Sequence, residues 1–268
     1  SADKRPADEK KKFKTGTVIR AWLDDSVFSS KNPYDEQDII ERLRGTAFLV
    51  PTLHAEVYNE LREIEDPSTG VASPQREEFH FPDGVLELIE LNQQLPKLHE
   101  TITLKSSADY IEQKVPVLQD DGSVVNQDVK RTVPFTVAFR YDEGYESNIS
   151  SYVNTIHTKL GGVHEVAFER AMQKAYNERF MSMRGLLKKG DELPAVDDFK
   201  EGLTAVIAVE VSEPNFTSQS KEALDGREVR KALQDKLTDV FGEWIADRKN
   251  ADTLTTISKK VVQASKNR

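Results

Sequence analysis

The stretch Leu203-Thr204-Ala205-Val206-Ile207-Ala208-Val209-Glu210-Val211 is nearly all apolar and rich in β-branched residues. A half-exposed strand alternates polar with apolar, so an unbroken run of this kind predicts a central strand covered on both faces. A polar stretch follows, Glu213 to Leu224, "EPNFTSQSKEAL". Beyond it Val229, Leu233, Leu237, Val240, Phe241, Trp244 and Ile245 recur at helical spacing, the mark of a long amphipathic helix. Asp225 is placed to cap that helix with Glu228 at N3, an approximate capping box. A final helix carries Leu254, Ile257 and Val261.

Upstream, "SNISSYVNTIHTKLGGVHEVAFERAMQKAYNERF" reads as a strand, a double-glycine turn and a helix. Phe168, Ala171, Met172, Ala175 and Tyr176 form that helix's apolar face. Three further strands are expected at Thr101 to Lys105, Lys114 to Leu118 and Thr132 to Tyr141, with "QDDGSVVNQ" turning between the last two. "DGVLELIELNQQL" predicts a short helix before them.

Leu61 to Phe79 is rich in Pro, Gly, Ser and charge and makes the best internal boundary. Ahead of it lie a β-branched run at Thr15 to Leu23, a helix with Ile39, Ile40, Leu43 and Ala47 on one face, and a strand at Thr52 to Glu60. This opening unit would bury little by itself and reads as the tail of a domain. The lead-in "SADKRPADEKKKF" is polar and reads as flexible. The order of elements predicts an α+β protein ending in long helices, with no internal repeat.

Cysteine is absent, which excludes disulfides, thiolate metal sites and thiol nucleophiles and points to a reducing cytoplasm. The net charge of −9 argues against a surface that grips nucleic acid as a whole, though not against a local basic patch such as Lys259-Lys260 to Arg268. No apolar window is long enough for a membrane span, and Ser1 to Arg5 is too charged for a secretory signal.

No pair among His54, His80, His99, His157 and His164 has the i, i+4 zinc spacing, so no metal site is expected. No Walker loop, nucleophile elbow or dinucleotide fingerprint is present. Two features stand out. Gly161-Gly162 permits close backbone approach, which a plain strand-to-helix turn would require equally. Gln219 and Lys221, two apart in an extended loop, would point to one side. An amide beside an ammonium suits polyphosphate oxygen, and a solvated loop lysine fits the same residues.

Taken in order, the motifs resemble those of the B-type ATPase subunit of bacterial type IIA DNA topoisomerases, gyrase B and the ParE subunit of topoisomerase IV. Gln219-Ser220-Lys221 is similar to the family's Q-T-K, and Glu201-Gly202-Leu203 to its E-G-L. Gly161-Gly162-Val163-His164 resembles its G-G-T-H, preceded by Ser151-Tyr152-Val153-Asn154. Thr15-Gly16-Thr17-Val18-Ile19-Arg20 is similar to its T-G-T-x-V-R-F strand.

The resemblance implies the end of a GHKL ATPase α/β sandwich at residues 1–75. It implies a transducer domain at 76–268, with a left-handed βαβ crossover, a ribosomal-protein-like fold and helices leading toward a TOPRIM domain. The catalytic glutamate and the magnesium-binding asparagine would lie before Thr15, so no hydrolysis is expected from these residues by themselves. Lys221 and Gln219 would contact the γ-phosphate of ATP, Thr17 and Ile19 would line the adenine pocket, and no metal ligand is expected in the chain. ATP and Mg2+ would serve the intact subunit, with neither held tightly by this stretch.

Implied partners are an A-type DNA-cleaving subunit, DNA passing through the clamp, and a second copy joined through an N-terminal region, in the bacterial cytoplasm at the nucleoid and without a membrane. Departures from the pattern are Ser220 for threonine, Val163 for threonine, and Glu169, beside Arg170, where relatives often place an arginine. Alternatives are another GHKL ATPase, MutL-like or Hsp90-like, or a non-enzymatic binding module.

Overall fold

The computed structural model describes residue 27 and residues 36–65, 72–91, 95–180, 187 and 190–268. The run at Thr15 to Leu23, with Thr17 and Ile19, lies outside the described residues, as does the polar lead-in. The chain forms two compact units, one through Glu41 and one from Arg42. Among the described residues no helix is long and apolar enough to cross a membrane.

Helix α1 (Glu36–Leu49) buries Ile40 and Ala47, as its periodicity predicts, while Ile39 is 41% exposed. Strands β1 (Ala55–Glu65) and β2 (Ala72–Phe79) pair antiparallel as a two-stranded ribbon. The segment that reads as a linker in the sequence therefore supplies strand at 61–65 and 72–79. Its charge and turn residues conceal this, because a ribbon outside the main sheet need not alternate strictly.

After the short helix α2 (Val85–Leu91), strands β3 (Ile102–Leu118) and β4 (Val124–Tyr141) make one long antiparallel hairpin. The sequence pattern predicts three separate strands here, and the structure joins two of them through a bulge between Glu112 and Val115, where Lys114 has φ +57°. The turn is tight, Gln119 N–H donating to Ser123 O at 2.8 Å.

Strands β5 (Asn148–Val153) and β6 (Ile156–His157), helix α3 (Val163–Phe180) and strand β7 (Leu203–Val209) complete a five-stranded mixed sheet of order β3-β4-β7-β5-β6. β7 runs antiparallel to β4 and parallel to β5, so β5, α3 and β7 form a βαβ crossover.

The apolar run of β7 lies inside the sheet, covered on both faces. On one face Leu203, Ala205, Ile207 and Val209 join Val137, Phe139, Phe168 and Phe241 in the main core. On the other, Val206 packs with Ala138, Tyr152 and the α2 residues Val85 and Ile89. Buried Arg140 reaches that face too, donating to Ile89 O at 2.8 Å and pairing with Glu90 at 3.0 Å.

Helices α4 (Arg227–Ala246) and α5 (Ala251–Asn267) pack onto the first face. Phe241 holds the centre, with ring centroids 5.7 Å from Phe139, 5.9 Å from Phe168 and 6.4 Å from Tyr176. Asp225 does not cap α4 as its spacing predicts. Gly226, at φ +134°, is the N-cap, and Asp225 Oδ1 instead accepts the Gly226 N–H at 2.8 Å. The reason is that Asp225 pairs with Asn215 in a short antiparallel strand pair, so the helix starts one residue later than the capping-box spacing suggests.

Candidate functional site

The chain leaves β7 and forms a small hairpin before α4. Strands β8 (Asn215–Phe216) and β9 (Leu224–Asp225) pair, and Thr217 N–H donates to Ala223 O at 3.0 Å. Lys221 closes the tip with its N–H on Ser218 O at 3.1 Å and a left-handed φ of +58°. The tip is therefore a turn rather than an extended strand, and the alternation argument for Gln219 and Lys221 does not apply to it. Both side chains are nevertheless exposed.

Polar groups around them are engaged with one another. Ser218 Oγ lies 2.8 Å from Ser220 Oγ, and Ser220 donates to Glu222 Oε2 at 2.9 Å. The Lys221 ammonium sits 5.9 Å from the Phe216 ring centroid and pairs with no carboxylate among the described residues. Gln219 makes no side-chain hydrogen bond among them either. Ser220, which stands where the family pattern has threonine, uses its hydroxyl inside the loop.

The double glycine meets this loop directly. Gly162 bridges Leu224, and a Cβ on Gly162, whose φ is +139°, would lie 2.5 Å from Leu224 N. Leu160 N–H donates to Glu222 O at 2.9 Å, and Leu224 N–H to Gly161 O at 3.3 Å. A Cβ on Gly161, at φ +72°, would lie 2.5 Å from Glu165 Oε2. Backbone approach therefore requires Gly162, whereas Gly161 is favoured by its left-handed φ, since its added Cβ would meet only the movable end of the Glu165 side chain. Nothing in the local sequence says that residues 162 and 224 touch.

Behind the turn lies a buried polar cluster. Thr158 Oγ1 lies 2.7 Å from Ser151 Oγ and 3.3 Å from His164 Nε2, and Ser151 Oγ donates to Glu165 Oε2 at 3.3 Å. His164 is fully buried with no partner at Nδ1, and burial pushes its pKa down to about 4, so it is a neutral imidazole. Burial and the neighbouring Glu169 charge raise the Glu165 carboxyl. Glu169 itself is bound by Lys200 at 2.7 Å.

At the root of the loop a cavity of about 320 Å³ is lined by Tyr110, Glu112, Glu213, Asp225 and Glu228 among others. Arg131 offsets part of that charge, 2.8 Å from Glu112 and 3.4 Å from Glu213. Burial and the Glu112 charge raise the Tyr110 phenol. The carboxylates outnumber the one guanidinium, so this root of the loop is acidic.

Away from the loop, on the β1–β2 ribbon, one arrangement escapes the spacing argument about histidines. Glu56 and Glu78 lie opposite each other across the ribbon, and His54 Nε2 is 3.2 Å from Glu56 and 2.8 Å from Glu78. Their ligand atoms all fall within 4.8 Å, a metal-compatible grouping. Arg76 already sits 2.8 Å from Glu56 and 3.6 Å from Glu78, so an ion-pair network accounts for the grouping.

The family model described as DNA gyrase B matches residues 90–268, and the chain belongs to that family. It is 31% identical over 260 residues to the B-type subunit of DNA gyrase from Thermotoga maritima, covering 95% of this chain and 36% of that protein. It is 30% identical over 258 residues to the B-type subunit of DNA topoisomerase 4 from Enterococcus faecalis, covering 95% of this chain and 33% of that protein. The chain thus spans about a third of the length of these relatives.

Two solved structures share the fold. The 43K ATPase domain of Thermus thermophilus gyrase B, in complex with an aminocoumarin, superposes with TM-score 0.64 at 24% identity, over 91% of this chain and 57% of that one. The topoisomerase IV ATP-binding domain of Francisella tularensis gives TM-score 0.65 at 19% identity, over 92% and 57%.

Proposed function

We propose that the chain is the nucleotide-sensing portion of the ATPase subunit of a type IIA DNA topoisomerase. Residues 1–75 would be the end of a GHKL ATPase domain, and 76–268 a transducer with a left-handed βαβ crossover. Lys221 and Gln219 would meet the γ-phosphate of ATP from the transducer side, the amide donating a hydrogen bond and the ammonium supplying charge. Thr17 and Ile19 would belong to the adenine pocket.

One observation carries this reading. The exposed Lys221 ammonium stands on a turn with defined backbone geometry, free of any carboxylate partner among the described residues, while the loop's own Glu222 is engaged by Ser220. A lysine held in this way is accessible to an incoming anion. The ATP-held contact would fix two domains in one orientation, and hydrolysis would remove the tether. Helices α4 and α5 follow the loop directly and would carry the rotation outward.

The intact subunit would use ATP with Mg2+, pair with itself, work with an A-type DNA-cleaving subunit and act on DNA in the bacterial cytoplasm. These residues by themselves would not turn over ATP. Nucleotide titration of the complete subunit tests the reading. Lys221→Ala and Gln219→Ala should each weaken binding or turnover, and unchanged affinity and turnover in both would favour a plain binding module.

A further inference from the structure

The Gln219–Lys221 loop is gripped from both ends by one segment, residues 154–162. Its exit is held by the Leu160–Glu222 and Leu224–Gly161 hydrogen bonds already described. Its start is held by Asn154. The Asn154 Oδ1 accepts the Val211 N–H at 2.8 Å, and its Nδ2 donates to Val211 O at 3.0 Å. The Asn154 backbone N–H also donates to Val209 O at 2.8 Å. The side-chain amide thus replaces the backbone partner that Val211 lacks once β7 has ended, and extends the sheet's grip by two residues into the loop.

Resting on the proposed role of Lys221, we infer that Asn154 is a positioning residue that fixes where the Gln219–Lys221 loop leaves the sheet. Turn geometry alone would also favour asparagine here. Asn154 opens the two-residue turn between β5 and β6 and has φ +54°, which asparagine tolerates better than most residues. Glycine satisfies that requirement equally, yet has no amide to offer Val211. Asn154→Gly therefore separates the two roles. Asn154→Asp keeps the acceptor for Val211 N–H and removes the donor to Val211 O.

The first arm of the test uses the 268-residue chain and amide exchange. Asn154→Gly should speed exchange at Thr217 and Lys221, while the central β7 amides stay protected. The second arm uses the complete subunit. Losing two neutral hydrogen bonds at the root of the loop should lower ATP turnover about tenfold in Asn154→Gly, with Asn154→Asp between it and wild type.

A double-mutant cycle then reads whether Asn154 acts through the lysine. Asn154→Gly combined with Lys221→Ala should be no slower than Lys221→Ala alone. Wild-type turnover in Asn154→Gly, or losses that multiply in the double mutant, would overturn the inference while leaving the Lys221 reading intact. Full turnover by Lys221→Ala would instead overturn that reading, and this role for Asn154 with it.

Discussion

Gly162 and Leu224, far apart in the chain, lie backbone against backbone, so close that a single methyl on Gly162 would sit 2.5 Å from Leu224 N and 2.6 Å from Leu224 O. The start of α3 and the exit of the Gln219–Lys221 loop are thereby one mechanical joint.

Gly162→Ala should consequently destabilise the chain by about 3 kcal/mol, because a left-handed backbone and a backbone clash act together. Gly242→Ala is the matched control, on the exposed face of α4 with no atom within 4 Å of the added methyl. It should stabilise by up to about 1 kcal/mol through helix propensity. Chemical denaturation of both variants checks the pair, and equal effects would contradict the joint.

Phe241 touches aromatic rings from the sheet and from α3, and is fully buried. Phe241→Ala should cost about 3–5 kcal/mol as a cavity opens among rings that cannot collapse together. The same denaturation experiment measures it, and near-ultraviolet dichroism should report loosened tyrosine and tryptophan packing.

His164 gives the stability a specific pH dependence. Its folded pKa, about 4, lies below the ordinary histidine value of 6.5, so the unfolded chain binds the proton more readily. The contribution is fully present above pH 6.5 and is lost as pH falls toward 4, a drop of about 3 kcal/mol across that window. His99, also lowered by burial, moves stability in the same direction, and the raised Glu165 opposes it. The check is therefore differential: His164→Gln should flatten the slope between pH 6.5 and 4 relative to wild type. Parallel slopes would contradict a buried neutral imidazole.

Lys260 ties α5 to the turn after β4. Its ammonium donates to Gly144 O at 2.6 Å, lies 3.7 Å from Glu201 and sits 5.1 Å from the Tyr145 ring centroid. Lys260→Met keeps the aliphatic stem and removes the charge, so α5 should fray while α4 stays docked. A loss of about 1–3 kcal/mol is expected, with faster amide exchange confined to α5. Uniform acceleration in both helices would contradict a local tie.

Elements with buried faces are legible in the sequence. Leu203 to Val209 announces a central strand because neither face sees water, and Val229 to Ile245 announces a helix because one stripe does not. The outer half of the β3–β4 hairpin reads in pieces for the opposite reason. Ile111, Leu118, Val124 and Val125 are exposed there, so no buried face imposes a pattern, and the bulge at Lys114 breaks the register.

The site divides in the same way. Gln219 and Lys221 stand out through family likeness, because by residue type alone a solvated loop lysine fits the same positions. The contacts that seat their loop run from 154 to 211 and from 162 to 224, and no local pattern encodes pairs so far apart. Asp225 shows a third limit, since its cap spacing is sound but β9 takes the residue first.

Under the proposed function, Lys221 would convert nucleotide state into DNA movement. The most direct measurement is ATP-driven strand passage by the complete subunit with its A-type partner, comparing wild type with Lys221→Ala. The variant should stay folded and lose ATP-driven change in DNA topology. Near wild-type strand passage by a folded Lys221→Ala variant would contradict it.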